Sequence, residues 1–198
     1  MIVKKENKEC IAIASSILLN KGIIIIPTDT IYGFSALMDK EEKIAELKNR
    51  DIKKHFIYLI ENKEYALPYI ELSFYSKKEL SHLFSFWPAP LTIIFKSNIK
   101  EGSIAFRAPK DEWLQKLLHK IKTPIASTSA NISGFSTIED VEVLKTTFEE
   151  SVDLIVDGGR LAGTSSTILD ARERPFKVLR QGSYKVECLD FDPDRALL

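Results

Sequence analysis

The chain has 198 residues, enough for one domain that buries roughly 70% of the surface its unfolded form exposes. Its 44% hydrophobic and 28% charged residues are a globular balance, and 28 basic against 28 acidic side chains leave no net charge. That balance argues against a dedicated nucleic-acid binder, whose affinity comes largely from neutralising phosphates, and leaves any RNA contact to a local patch.

Two cysteines, Cys10 and Cys188, without a CxxC pair, exclude a disulfide scaffold or a cysteine-based zinc site, and Cys10 reads as a buried free thiol. The longest aliphatic run, Ile23 to Ile26, is far short of a bilayer span, and MIVKKENKEC holds no apolar signal core. A cytoplasmic location with no membrane partner is the expectation.

Cys10, Ile13, Ala14, Ile17 and Leu18 recur on one helical face, so the spacing predicts a helix over residues 8–20 with Gly22 as its stop. Ile23 to Ile26 is a continuous β-branched run ended by Pro27, the pattern of a buried central strand. Asp39 and Glu42 stand at capping-box spacing ahead of Ile44 and Leu47, which predicts a short helix to about Lys48. Ile57 to Ile60 reads as a strand; Leu80, Leu83, Phe84 and Trp87 mark a helix closed by Pro88 and Pro90. Leu91 to Phe95 and Ser103 to Phe106 read as strands, followed by a helix carrying Trp113, Leu114, Leu117, Leu118 and Ile121 on one face. Pro124 to Ala126, Leu154 to Val156, Thr167 to Leu169 and Phe176 to Leu179 are short strands, and Val141, Leu144 and Phe148 mark one more helix. The alternation argues a single α/β domain over 1–198, a sheet covered by helices, with a polar tail over about residues 190–198.

Polar residues gather in segments that follow strands, where open α/β sheets place ligands. Pro27-Thr28-Asp29-Thr30-Ile31-Tyr32-Gly33 reads equally as a plain turn or as a ligand loop. In Lys48-Asn49-Arg50-Asp51-Ile52-Lys53-Lys54-His55, Lys48 and Arg50 flank one residue at a helix end. They either complement the helix dipole or converge on a polyphosphate. Arg107 closes an apolar strand ahead of Pro109, as a surface residue or as a bidentate carboxylate clamp. Ser127-Thr128-Ser129-Ala130-Asn131-Ile132-Ser133-Gly134 is dense enough in hydroxyls and amide to surround a polar ligand, with a helix-capping turn as the alternative. Asp157-Gly158-Gly159-Arg160 and Gly163-Thr164-Ser165-Ser166-Thr167 allow close backbone approach but match neither a Walker loop nor a dinucleotide fingerprint. His55, His82 and His119 are scattered, and no HExxH or Gly-x-Ser-x-Gly occurs. Chemistry by positioning and charge stabilisation fits this inventory.

The segments PTDTIYG, KNRDIKK, FWPAPLTIIF, IAFRAP, STSANISG, DGGRLAGTSSTILD and VLRQG occur in the order seen in the YrdC/TsaC family, across residues 22–182. The chain resembles that family. The resemblance implies a twisted mixed sheet flanked by helices with a large concave cavity, and a threonylcarbamoyl-AMP synthase. Such an enzyme uses ATP, L-threonine and bicarbonate, releases pyrophosphate, and hands its product to a tRNA-modifying transferase complex. It further implies that Thr30, Arg107, Ser127 and Ser166 contact threonine, with Arg107 on its carboxylate. Lys48, Arg50, Lys54, Ser129, Asn131 and Arg180 are then nucleotide-binding positions, Lys48 and Arg50 stabilising charge as the phosphate bond breaks. Mg2+ is expected to travel with ATP, held by phosphates and water rather than by a protein cage. Three departures from the family pattern stand out: Asp51 replaces a proline after K-x-R, Leu59 stands where some members carry a histidine, and PAP replaces PGP. The alternative is a non-catalytic, double-stranded-RNA-binding protein like the YciO branch. The carbamoyl-transfer modules of hydrogenase-maturation proteins are a third relative, embedded in longer chains.

Overall fold

A computed structural model describes residues 1–48, 56–99 and 102–186. Among these residues ten strands form one mixed sheet. In chain order the elements are β1 (Ile2–Lys4), α1 (Cys10–Leu19), β2 (Ile24–Pro27), β3 (Tyr32–Leu37), α2 (Glu41–Leu47), β4 (Ile57–Leu59) and α3 (Lys77–Ser85). They continue as β5 (Leu91–Lys96), β6 (Ser103–Arg107), α4 (Glu112–Ile121), β7 (Ile125–Ser129), α5 (Val141–Phe148), β8 (Leu154–Asp157), β9 (Thr167–Asp170) and β10 (Lys177–Arg180). The strand order is β1-β8-β2-β3-β7-β4-β6-β5-β9-β10. β8 lies parallel to both β1 and β2, β4 to β6, and β5 to β9; the remaining neighbours are antiparallel.

Strand alternation divides the apolar residues between two layers. Ile25, Phe34, Tyr58, Ile93, Phe95 and Phe106 face one side, where Ile44 of α2, Leu83 and Phe84 of α3, and Leu144 and Phe148 of α5 cover them. Ile24, Ile26, Leu59, Ile125, Leu154 and Val156 face the other, packed against Cys10, Ala14 and Leu18 of α1 and Leu114, Leu117, Leu118 and Ile121 of α4. Each Leu, Ile, Val or Phe among them contributes about 1.5–3 kcal/mol when fully buried. Cys10 is a buried free thiol, as the apolar helix face predicts.

Three local expectations change. Gly22 does not take the left-handed conformation that ends α1; Lys21 does, at φ 66°. Lys21 N–H bonds Leu18 O at 2.8 Å and Gly22 N–H bonds Ile17 O at 2.9 Å, the paired bonds of a Schellman stop. Gly22 is needed for space, since a Cβ there would sit 2.6 Å from Ile17 Cγ2 and 2.8 Å from Asp153 Oδ2. Asp39 does not cap α2: it lies in a 3-10 turn over Met38–Lys40, and the N-cap is Lys40 with no side-chain bond. The third change bears on the site. Tyr32–Leu37 is a strand, so PTDTIYG is a strand, a four-residue turn and the start of a second strand, and Ser127 and Ser129 lie within β7.

Candidate active site

Small, polar and aliphatic residues of β3, β7, β4, β6, β5 and β9 line a depression in the sheet. The register lines up Gly33 with Ser129, Ser35 with Ser127, Ser127 with Ile57, and Ile57 with Ala105. Leu59 pairs with Arg107 and Thr92 with Ile168. All of these positions except Ser35 line an open cleft of about 320 Å³. Gly33 is required here because a Cβ would stand 2.8 Å from Ser127 Oγ.

One wall is the turn between β2 and β3. Thr28 closes it: its Oγ1 donates to Ile31 O at 2.8 Å and accepts from Thr30 N–H and Ile31 N–H, both at 3.2 Å. With that proton spent, Thr30 Oγ1 donates to Thr28 Oγ1 at 2.9 Å. A Thr30 lone pair then accepts from Arg107 Nη1 at 3.0 Å. Arg107, the last residue of β6, is only 4% exposed. Asp29 Oδ1 lies 3.4 Å from its Nη2 as an ion pair without hydrogen-bond geometry. Arg107 Nε has no acceptor among the described residues, a buried donor that costs about 1–3 kcal/mol until something accepts from it. Burial pulls the Arg107 pKa down, Asp29 opposes that, and the charge of Arg180 adds to the fall.

The opposite wall carries Arg180 at the end of β10. Its Nε and Nη2 donate to Ser166 O at 3.0 and 2.8 Å, and Nη2 also reaches Ser166 Oγ at 3.3 Å. Ser166 Oγ in turn meets Thr92 Oγ1 at 2.9 Å. Burial lowers the Arg180 pKa too. Two guanidinium groups thus share one cleft, with Asp29 beside Arg107, and a bound anion would relieve both desolvation and mutual repulsion.

The glycine-rich segment after β8 ties the walls together. Tyr32 Oη donates to Gly159 O at 2.6 Å and accepts from Gly158 N–H at 3.0 Å. Gly163 lies directly on Thr30: a Cβ there would fall 1.5 Å from Thr30 O.

Lys48 lies at the C-terminal cap of α2 and is 4% exposed. Its Nζ donates to Asn131 Oδ1 at 2.9 Å and to Ser129 O, and stands 5.4 Å from the Phe34 ring centroid. Ser129 Oγ donates to the same Asn131 Oδ1 at 2.6 Å, while Asn131 Nδ2 donates to the carbonyls of Ile132 and Phe135. Of the residues singled out from sequence, Thr30, Arg107, Ser127, Ser129, Ser166 and Arg180 therefore line one cleft. Lys48 and Asn131 sit behind its β7 rim, joined to it through Ser129. Arg50 and Lys54, with Asp51 and His55, lie outside the described residues. Thr28 and Asp29, placed by the sequence only in a possible ligand loop, have roles of their own here, and so has Thr92, whose signal was a lone hydroxyl in the aliphatic strand LTIIF. Among the described residues no three His, Cys, Asp or Glu side chains gather to hold a metal ion. No helix there is long and apolar enough to cross a membrane.

The Sua5_yciO_yrdC family model, described as "Telomere recombination", matches residues 16–182. The chain belongs to the Sua5/YciO/YrdC family. A relative from Enterobacter sp. (strain 638), a threonylcarbamoyl-AMP synthase, is 29% identical over 174 residues, covering 81% of this chain and 90% of that one. The structure of P. abyssi Sua5 complexed with L-threonine superposes with a TM-score of 0.81 at 28% identity, covering 92% of this chain. The present chain spans 57% of that Sua5 structure's length. E. coli YciO matches over 94% of this chain and 96% of its own, with a TM-score of 0.80 at 24% identity, which bears on the fold alone.

Proposed function

We propose that this Sua5/YciO/YrdC member is an L-threonylcarbamoyladenylate synthase, a nucleotidyltransferase. It would condense L-threonine, bicarbonate and ATP into threonylcarbamoyl-AMP, pyrophosphate and water, supplying threonylcarbamoyladenosine formation in cytoplasmic tRNA through a downstream transferase complex. The observation that carries this reading is Arg107: a buried guanidinium, held on Thr30, with an unspent Nε on the floor of a cleft that contains a second guanidinium. The relatedness to a threonylcarbamoyl-AMP synthase and to a Sua5 seen with L-threonine supports the choice of substrate.

In this reading the threonine carboxylate accepts from Arg107, with Thr30, Ser127 and Ser166 providing hydroxyls around the amino acid. The amine attacks the bicarbonate carbon, a C–N bond forms, and water leaves to give a carbamate. A carbamate oxygen then attacks the α-phosphorus of ATP, and the bond to the pyrophosphate oxygen breaks. Arg180 and Ser129 face the cleft in which that negative charge grows. Lys48, Arg50, Lys54 and Asn131 are assigned to the nucleotide by their place in the family motifs. The cleft's hard-oxygen hydroxyls suit the hydration shell of a Mg2+ bound by the triphosphate, which supplies further charge neutralisation.

Pyrophosphate release from ATP is the test, and it should require both threonine and bicarbonate. Lys48→Ala and Arg50→Ala should each lower kcat by about a hundredfold or more, the size of losing one preorganised charge-stabilising group. Release that ignores threonine would overturn the reading, and tight duplex-RNA binding without turnover would favour the non-catalytic alternative.

A further inference from the structure

β4 and β6 are parallel neighbours whose chains leave toward opposite sides of the sheet, β4 into α3 on one layer and β6 into α4 on the other. Such a divergence opens a crevice beyond the carboxyl ends of the two strands, the position where open α/β sheets bind ligands. Here the crevice is about 290 Å³ and is separate from the large cleft. Arg107 lines the cleft and its neighbour Ala108 lines the crevice, so the two lie back to back at the end of β6.

The crevice is aromatic on one side and offers hydrogen-bond acceptors on the other. Phe84 and Trp87 stand 5.8 Å apart with planes tilted by 30°, next to Pro88. Trp87 Nε1–H is spent on Leu91 O at 2.8 Å, leaving the indole to present its ring. Gln115 gives one of its two Nε2 hydrogens to Pro109 O at 2.6 Å, which leaves its carbonyl oxygen and one N–H. Glu61 takes His119 Nδ1 on Oε1 at 2.9 Å, and its Oε2 has no partner among the described residues. The donor-bearing side chains at the border, Asn62 and Lys63, are exposed.

A carboxylate and an amide oxygen facing a π-surface complement a group that has only donors, carries positive charge and is flat or apolar behind. We propose that this crevice is a second binding site, for a small free organic cation: an alkylguanidinium or alkylammonium whose head meets Glu61 and Gln115 and whose body lies on Trp87. The proposal is independent of the function assigned to the large cleft.

Trp87 and Trp113 are the chain's two tryptophans, so Trp113→Phe makes Trp87 the sole reporter. Trp113 Nε1 has no hydrogen-bond partner among the described residues, so the change removes no hydrogen bond seen there. Titration of that variant with n-butylguanidinium should change Trp87 fluorescence saturably, and neutral n-butylurea should not. Glu61→Gln in the same background should weaken binding about tenfold or more, as expected for loss of a charge-assisted bond. Saturation-transfer NMR on the unsubstituted protein, with the same cation and urea, gives a readout that needs no variant. A missing saturable response, equal responses to cation and urea, or unchanged affinity in Glu61→Gln would overturn the site. Binding of an arginine-containing peptide but not of the free cation would overturn its assignment to a small ligand.

Discussion

Arg107 shows how much depends on one side chain's geometry. Its guanidinium gives Nη1 to Thr30 and stands beside Asp29, which leaves Nε as the buried donor still to be satisfied. A lysine at this position keeps the charge but cannot both hold Thr30 and offer a second, fixed N–H to a carboxylate. Arg107→Lys should therefore raise the KM for threonine by about tenfold or more, with the KM for ATP little changed. Steady-state pyrophosphate release at varied threonine and fixed ATP reads this directly. A lysine variant with unaltered threonine KM would show that the fork is not what grips the amino acid.

At the scale of elements, hydrophobic period served well and polar strands were the blind spot. α1, α3, α4, α5 and the aliphatic strands β2, β5 and β8 fall close to where the spacing of apolar residues put them. β3 was missed because YGFSAL has a glycine and a serine where a half-buried strand would show branched residues, and β7 was cut short at its serines. Gly33, Ser127 and Ser129 among them floor the cleft: what hid the strands from the hydrophobic pattern is what makes the site. Loop closure was also out of reach, because the 1.5 Å approach of a Gly163 Cβ to Thr30 joins segments more than a hundred residues apart. Gly163→Ala should force the segment off Thr30, loosen Arg107 and abolish most activity, while Tyr32 still anchors Gly158 and Gly159. Pyrophosphate release together with thermal unfolding separates that local loss from global unfolding. Lys21 is the reverse case, the cost of a Cβ at left-handed φ accepted at a Schellman stop. Lys21→Gly should stabilise the fold by about 0.5–1 kcal/mol in urea unfolding.

For the molecule as a whole, one ion pair links the helical layer to the far end of the sheet. Arg174, beyond β9, donates to Glu79 of α3 at 2.6 and 2.9 Å and to Phe74 O at 2.8 Å. Glu79 is also the N3 partner of Ser76 in the capping box of α3. Its pKa is lowered from 4.5 to about 2, chiefly by the Arg174 hydrogen bonds. Because the folded value is the depressed one, this stabilisation is complete above pH 4.5 and fades as pH falls toward about 2. Glu79→Gln should cost about 1 kcal/mol at neutral pH, discounted for the half-exposed Arg174. The stability gap between the two proteins should close in acid, which urea midpoints taken across that range would show.

A cleft floored by a hydrogen-bonded sheet has a further consequence. Neighbouring side chains in a strand can belong to different compartments: Ser127 to the cleft, Ala126 just before it to the hydrophobic layer beneath. Substrate preference can thus be re-tailored at alternate positions of β7 without disturbing the packing below. A single inserted residue in that strand would instead exchange the two compartments, turning oily groups toward solvent and hydroxyls into the interior. Diversification by point substitution is open to this scaffold; diversification by insertion must happen in its rims.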